Sequence, residues 1–563
     1  MNSRLDSTNS NDSVHFKDEQ LNNELSNNNK ENSNIDSSTS SGIISQQNLV
    51  AASEQPVSRL GPRPVCFTNK TSELMFVATA VLSQILNISG TSQTLTLFRI
   101  LSTDLNTSAN MESWLMASFS LVTGSLILIS GQLGDIYGLK KVLICGYIFA
   151  FIWSLILGFT KYTHQATFFI VSRAFQGLGV SCILPNVMGI VGTIYEAGSH
   201  RKNLVFALIG AGAPVGAVFG VWWASLIVHF DKHAWSWCFW AYAILLFLTL
   251  VLNILFCPNS IPKNSKNIKM DWIGALLAVV GLVLFNFSWN QGAIVGFQTA
   301  YVIALLVISS VAIVLFFIYE KNYALYPLVP PSVFMNPNVV SILATLVFGW
   351  GSFGCFLFYL FQTRLYLQNM DPLLAGTEFI PFAVFGIIAA LTVALTIKKL
   401  TAQVLLVFSS IAFCAGSVML AILPLHQIYW KLSFFTTIIL SFGMDLSFPA
   451  ASIVLSDNLP KANQGMAGSL ISTMMNYAMS LFLGVAGVVQ TQVSKNIENK
   501  HPEYSEQKKT QMSYRGAMYF AVGSAGLAIV ISSSYAIATL VFHKGGKNKN
   551  TAVYESGDST RED

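Results

Sequence analysis

In a chain this poor in charge, the few polar side chains placed inside apolar runs are the ones able to do chemistry. Arg173 stands in Phe169-Ile-Val-Ser-Arg173-Ala-Phe-Gln176-Gly177-Leu-Gly179. A guanidinium within a hydrocarbon layer costs about 3 kcal/mol on insertion scales, so it must face a protein or water-filled interior. Gln176, three residues on, shares that helical face and its hydrogen bonds. Such an arginine is either half of a structural ion pair or a functional charge. Asp445 lies mid-way along another apolar run, between Gly443 and Pro449. A carboxyl in that setting can load and release a proton, or it can serve as a helix-break hydrogen bond. Glu378 and Glu112 are weaker candidates, because each can reach an interface. Asp445, Glu378 and Arg173 are therefore the proton-coupling candidates.

Two glycine patterns accompany them. Gly131-Gln-Leu-Gly134-Asp135-Ile-Tyr-Gly138-Leu-Lys140-Lys141 reads as a tight turn between two helices, with Asp135 as a cap or acceptor and the lysines as interfacial anchors. Gly212, Gly216 and Gly220 recur every fourth residue with Pro214 among them, a flat stripe that admits another helix closely while the proline bends its own.

The elements that must position these residues follow from composition. Of 563 residues, 53% are hydrophobic and only 10% charged, against roughly a quarter charged in soluble proteins. Fourteen of the 59 charged residues fall in residues 1–70 and eight in residues 543–563, so the intervening chain is nearly stripped of them. Residues 1–70, rich in Asn and Ser, read as a disordered tail. Apolar runs near the roughly 20 residues needed to cross a bilayer follow at 73–97, 112–132, 142–160, 167–194, 204–229, 236–257, 272–290, 299–319, 339–362, 374–397, 401–424, 431–455, 465–490 and 516–542. The expectation is an all-α polytopic membrane protein of about fourteen transmembrane helices, with 491–515 as a mixed-charge outward loop. The runs are too long for barrel strands.

With the N-terminus inside, Lys140, Lys141, Arg201, Lys202, Lys263, Lys266, Lys269, Lys321, Lys398, Lys399 and Lys461 face inward, and only Arg99, Lys161, Lys232, Arg364 and Lys431 face outward. That asymmetry predicts both termini in the cytoplasm. Seven scattered cysteines without a C-x-x-C pair read as small buried hydrophobes. His229-Phe-Asp-Lys-His233 has helical metal spacing but falls in a turn, and Asn106-Thr-Ser108 is a sequon close to the membrane. No nucleophile–base set, phosphate loop or dinucleotide fingerprint occurs, so neither an enzyme activity, a metal nor a cofactor is expected, and no basic patch points to nucleic acid.

In order and helix position, the turn, the Arg173 segment and the glycine stripe resemble the signatures of the major facilitator superfamily after its second helix, in its fourth and in its fifth. Fourteen helices narrow the likeness to the fourteen-span drug:proton antiporter family. Ser113-Trp-Leu-Met-Ala-Ser, Met270-Asp-Trp-Ile-Gly, Phe348-Gly-Trp-Gly-Ser-Phe-Gly and Ile439-Leu-Ser-Phe-Gly-Met-Asp-Leu-Ser-Phe-Pro are similar to segments of the yeast aminotriazole-resistance and boron-export proteins and the related ammonium facilitator. Two departures stand out. Ile136 and Leu139 occupy places where the turn signature is usually basic, and Phe76 to Thr103 lacks the acid that many such antiporters carry in their first helix.

The resemblance implies a six-helix bundle over 71–257, two additional peripheral helices with connecting loops over 258–337, a second bundle over 338–542 and a cytoplasmic tail over 543–563. A cavity between the bundles at mid-membrane is expected to draw on Asn87, Gln93, Asn286, Trp289, Asn290, Trp350, Ser352, Gln362 and Asn476. The expected activity is proton-coupled export of small polar or weakly basic toxicants, aminotriazole-like or boric-acid-like, by a monomer in the plasma or vacuolar membrane, with substrate, protons and lipid as its partners. The alternatives are an uncoupled facilitator for a solute such as ammonium, and a transporter-like sensor acting through its tails.

Overall fold

The computed structural model describes residues 63–557 apart from 108–110, 197–198, 260, 262–268, 397–399 and 459–463. Nearly all of the expected N-terminal tail, Ser108 of the sequon, Lys263, Lys266, Lys398, Lys399, Lys461 and residues 558–563 lie outside the described residues.

Among the described residues there is no strand, and fourteen helices are long and apolar enough to cross a membrane. They are α1 (Lys70–Ser92), α2 (Glu112–Tyr137), α3 (Leu139–Phe159), α4 (Ala166–Ser181, continued by Leu184–Ile194), α5 (His200–Phe230), α6 (Ser236–Phe256), α7 (Trp272–Val295), α8 (Ala300–Asn322), α9 (Pro337–Gln362), α10 (Ile380–Thr396), α11 (Ala402–Ala421), α12 (Ser433–Asn458), α13 (Gln464–Lys500) and α14 (Glu506–Gly557). The end at which odd-numbered helices finish is called the odd end, the opposite one the even end.

The sequence explains the interruptions. Pro185 lacks an N–H and its ring crowds the carbonyl four residues back, and α4 breaks at Cys182–Ile183 just ahead of it. Gly138 alone joins α2 to α3, at φ +110°, a backbone conformation that L side chains rarely adopt. Asp135 lies within the last turn of α2, and the residue preceding α3 is Gly138, which offers no capping side chain. The caps are elsewhere: Ser199, Asp271, Asn336 and Asp371 each accept from a backbone N–H at a helix start.

Three boundaries differ from expectation. Residues 491–515 are largely helix, because α13 runs on to Lys500 and α14 starts at Glu506. Their polar side chains lie at helical spacing, and Lys509 pairs with Glu506 three residues before it. At the other end, α14 continues to Gly557, through much of the expected C-terminal tail. Arg364, expected in an outward loop, is buried at 4% exposure in a π-helical turn, Thr363–Leu367, that extends α9.

In the packing, α1 lies on α5 and α6, α2 on α4, and α3 on α4 and α6; α11 lies on α12 and α14, and α9 on α13 and α14. These groups meet through α2 with α13 and α5 with α10. α7 packs on α13 and α2, and α8 packs on α7 while turning Val307, Ile308, Val311 and Leu315 outward, which suits a lipid-facing helix. The described cysteines are all free; Cys238, Cys257 and Cys355 are buried, whereas Cys145 is exposed.

Candidate transport site

The glycine stripe of α5 lies on α1. A methyl group added at Gly216 would strike the Ile85 backbone, and one at Gly220 the Ser89 backbone and the Ser92 side chain. Ser89 Oγ donates to Gly216 O at 2.9 Å across this contact. By holding α1 and α5 together, the stripe sets Gln84, Asn87 and Ile88 of α1 beside Gly210 and Ala213 of α5.

These five residues form one side of a cavity between the helix groups. Leu184, placed by the break in α4, closes part of it. Trp350 of α9, Ala390 of α10, Met444, Asp445, Phe448 and Pro449 of α12, and Ser472, Met475 and Asn476 of α13 supply the rest. Among the described residues no Lys, Arg or His lines it, and Asp445 is the only acid that does. Asp445 is 5% exposed and its Oδ2 has no hydrogen-bond partner. Gln84 Oε1 is likewise without one. Trp350 Nε1 is committed to Ser447 Oγ at 3.0 Å, and Asn476 Nδ2 to Ser472 O at 3.0 Å.

Of the candidate cavity residues, Asn87, Trp350 and Asn476 therefore lie with Asp445, and the others lie elsewhere. Asn286 and Asn290 join α7 to α13: Ser480 Oγ donates to Asn286 Oδ1 at 3.0 Å, and Asn290 Nδ2 donates to the Asn286 side chain and to Ser480 O. Trp289 packs edge-on against Phe285 and Phe297. Ser352 is bonded to Ser417. Gln93 is buried, with its Nε2 on Gly90 O at 3.4 Å. Gln84 was not anticipated, although its amide three residues before Asn87 on an apolar helix was a readable signal.

Arg173 is fully buried; Nη1 and Nε are bonded to backbone carbonyls and Gln176, whereas Nη2 has no hydrogen-bond partner. Nη1 donates to Gly90 O at 2.8 Å and to Gln176 Oε1, Nε donates to Leu115 O at 3.4 Å, and the guanidinium lies 4.5 Å from the Phe119 ring centroid. Gln176 in turn donates to Ser154 Oγ at 2.8 Å. Arg173 thus ties α4 to α1 and α2, and it does not line the cavity.

The two remaining candidate carboxylates, Glu112 and Glu378, belong to a network at the odd end. Glu112, at the start of α2, accepts from Gln362 Nε2 at 2.8 Å and from Tyr366 Oη at 2.6 Å. Tyr514 of α14 donates to Gln362 Oε1 at 3.3 Å. Arg99 reaches the same turn, donating to Leu365 O at 3.2 Å and Asn369 Oδ1 at 2.9 Å. One turn away, Arg364 Nη2 lies 2.8 Å from Glu378 Oε2, and Tyr429 donates to Glu378 O. His229 Nδ1 lies 3.2 Å from Asp371 Oδ2, which further links the α5 end to the segment before α10.

At the even end, Lys140 Nζ donates to Cys257 O and Asn259 Oδ1, both at 2.6 Å, and so caps the end of α6. Gly134 fits against Asn186 and Gly131 against Ser469 of α13. Arg201, expected as an inward charge, is paired with Glu73 at 2.6 Å, and Tyr195 donates to the same carboxylate at 3.2 Å. Burial and that carboxylate push the Tyr195 phenol up, so it remains a donor.

The architecture matches known proteins. The family model for the Major Facilitator Superfamily matches residues 80–484. The chain belongs to the major facilitator superfamily. The superfamily is one of transporters and not an enzyme class. The aminotriazole resistance protein of Saccharomyces cerevisiae is 49% identical over 87% of this chain and 89% of its own. The low affinity ammonium transporter of the same yeast is 35% identical over 84% and 90%, and the efflux pump terJ of Aspergillus terreus 34% over 86% and 91%. A solved transporter of the POT family, in complex with 5-aminolevulinic acid, shares the fold at a TM-score of 0.60 and 14% identity, over 85% of this chain and 98% of that one. This member of the superfamily is accordingly a multi-pass membrane transporter with relatives in efflux and drug resistance.

Proposed function

We propose that this transporter exports small polar or weakly basic toxic compounds in exchange for protons, with Asp445 as the group that carries the proton. The observation behind the reading is a cavity whose one acid is buried, without a hydrogen-bond partner and without a cation among its lining residues. An ionised carboxylate in dry surroundings is costly. Asp445 is stable there either protonated or beside a positively charged solute, and exchange of one for the other is antiport. Trp350 and Phe448 give the lining aromatic surface that suits a planar base, and the free acceptors of Gln84 and Asp445 suit a compound rich in N–H or O–H donors. Aminotriazole and boric acid both meet the donor requirement, and the carboxylate disfavours anionic borate.

Arg173 serves as a scaffold for α1, α2 and α4, and Glu378 holds Arg364 at the odd end. The signature turn (Gly131, Gly134, Asp135, Gly138, Lys140, Lys141) and the stripe (Gly212, Pro214, Gly216, Gly220) position helices rather than bind solute. Both termini are assigned to the cytoplasm by the distribution of lysine and arginine, and the plasma membrane is where export removes a toxicant from the cell. A facilitator for ammonium is the second reading, favoured by the absence of an acid from Phe76 to Ser92 of α1.

Purified protein in liposomes, loaded with aminotriazole, separates the two. The exporter accelerates release when the receiving side is acidified, whereas a facilitator shows equal rates with and without the gradient. Growth of a deletion strain on aminotriazole, boric acid and ammonium assigns the solute.

A further inference from the structure

The unpartnered carboxylate lies where the two helix groups meet. Pro214 of α5 and Gly386 of α10 come together where those helices pack, and a methyl group built on Gly386 would overlap the Pro214 ring and lie 2.5 Å from Asp445 Oδ2. Gly386 is therefore where α5, α10 and α12 touch, and its missing side chain is what lets the proline and the carboxylate approach each other. Among the described residues no other titratable group lines the cavity around Asp445, whose remaining polar residues include Gln84, Asn87, Ser472 and Asn476.

Resting on the reading that Asp445 carries the proton, we infer that Gly386 is the positioning residue that makes proton transfer depend on the movement of the two helix groups. With α5 seated on α10, the Pro214 ring covers Asp445 Oδ2 and withholds it from water. When α5 and α10 part, as rocking of one bundle against the other requires, the cover is withdrawn and the carboxyl can exchange its proton. A side chain at position 386 would prop the helices apart and leave the carboxyl exposed in every state. The proton would then leak past the cycle and not drive it.

Two measurements on the full chain test this. Infrared spectra of the purified protein identify the carboxylic-acid C=O band that disappears in Asp445→Asn, with no transported solute needed. In Gly386→Ala that band shifts, and in Gly386→Ser it shifts further as the new hydroxyl donates to Oδ2. In liposomes, Gly386→Ala loses pH-gradient-driven aminotriazole release on the order of tenfold or more, while exchange of labelled for unlabelled solute, which needs no net proton movement, continues. Adding Pro214→Ala to Gly386→Ala makes room at the junction and restores part of the gradient response.

An unshifted band, an intact gradient response in Gly386→Ala, or equal loss of both transport modes without recovery in the double variant would overturn the role of Gly386. Gradient-driven release that persists in Asp445→Asn removes the proton-carrier reading itself, so the two failures are told apart.

Discussion

Glu112, at the start of α2, and Asp445, mid-way along α12, are both buried carboxylates, at 6% and 5% exposure respectively. Glu112 is held by the Gln362 amide and the Tyr366 hydroxyl, donors from the opposite helix group. Asp445 Oδ2 has no such donor, although the residue lines the cavity. A carboxylate with its lone pairs filled is already solvated by protein and works as a clasp. One left bare is high in free energy until a proton or a cationic solute arrives. The contrast separates the group that closes one end of the molecule from the group expected to do chemistry.

The largest expected effect tests the bare member. Asp445→Asn keeps the shape and removes the titration, so gradient-driven export falls by about a hundredfold or more, as for loss of a positioned proton-transfer group. Transport in liposomes, together with surface expression of the variant, checks this. Unchanged export would leave the cavity without a proton carrier. The next effect tests whether Arg173 belongs with Glu112 as a group that holds helices together. Arg173→Met removes the links from α4 to the Gly90 and Leu115 carbonyls and leaves Gln176 Oε1 without its donor in a dry interior, at about 3 kcal/mol. The expected result is a lower melting temperature in detergent and poor delivery to the membrane. A well-folded Arg173→Met with impaired export would move Arg173 from the scaffold into the mechanism.

Much of this was legible in the sequence and part was not, for identifiable reasons. The number of helices follows from hydropathy because lipid demands long apolar runs. The glycine stripe shows in the spacing, since close helix approach excludes side chains. Asn87, Trp350 and Asn476 share a cavity, yet Asn286, Asn290 and Gln362 carry the same polar signature and bond to neighbouring helices. Residue type alone does not say which face of a helix meets a void. Arg364 read as a loop charge because a π-helical turn has no pattern in composition. Gly386 resembled any other glycine until its position against Pro214 and Asp445 was known, which is tertiary information.

The satisfied member of the pair gives a smaller and more specific effect. Glu112→Gln turns one acceptor oxygen into a donor, which faces either the Gln362 amide or the Tyr366 hydroxyl. One charge-assisted bond is lost, worth about 1–2 kcal/mol, so the odd end opens about tenfold more often. Distances between spin labels placed on the two helix groups at that end should show the longer population grow. If the distribution is unchanged, Arg99 and the His229–Asp371 pair are enough to keep that end closed and Glu112 is not the clasp.

The smallest effect concerns Asn286, which the sequence offered on equal terms with Asn87. In Asn286→Ala, Ser480 loses one of its two acceptors but keeps the Ala117 carbonyl at 3.1 Å, and Asn290 keeps the Ser480 carbonyl. Interhelical hydrogen bonds in membranes average about 0.6 kcal/mol, so stability falls by no more than about 1 kcal/mol. Affinity for aminotriazole should be unaltered, because α7 supplies no residue to the cavity. Asn87→Ala in parallel removes an amide that lines the cavity, so it should weaken solute binding with little change in melting temperature. Opposite responses in these two variants would locate the solute between α1 and α12, and equal loss of affinity in both would instead require the cavity to extend to α7.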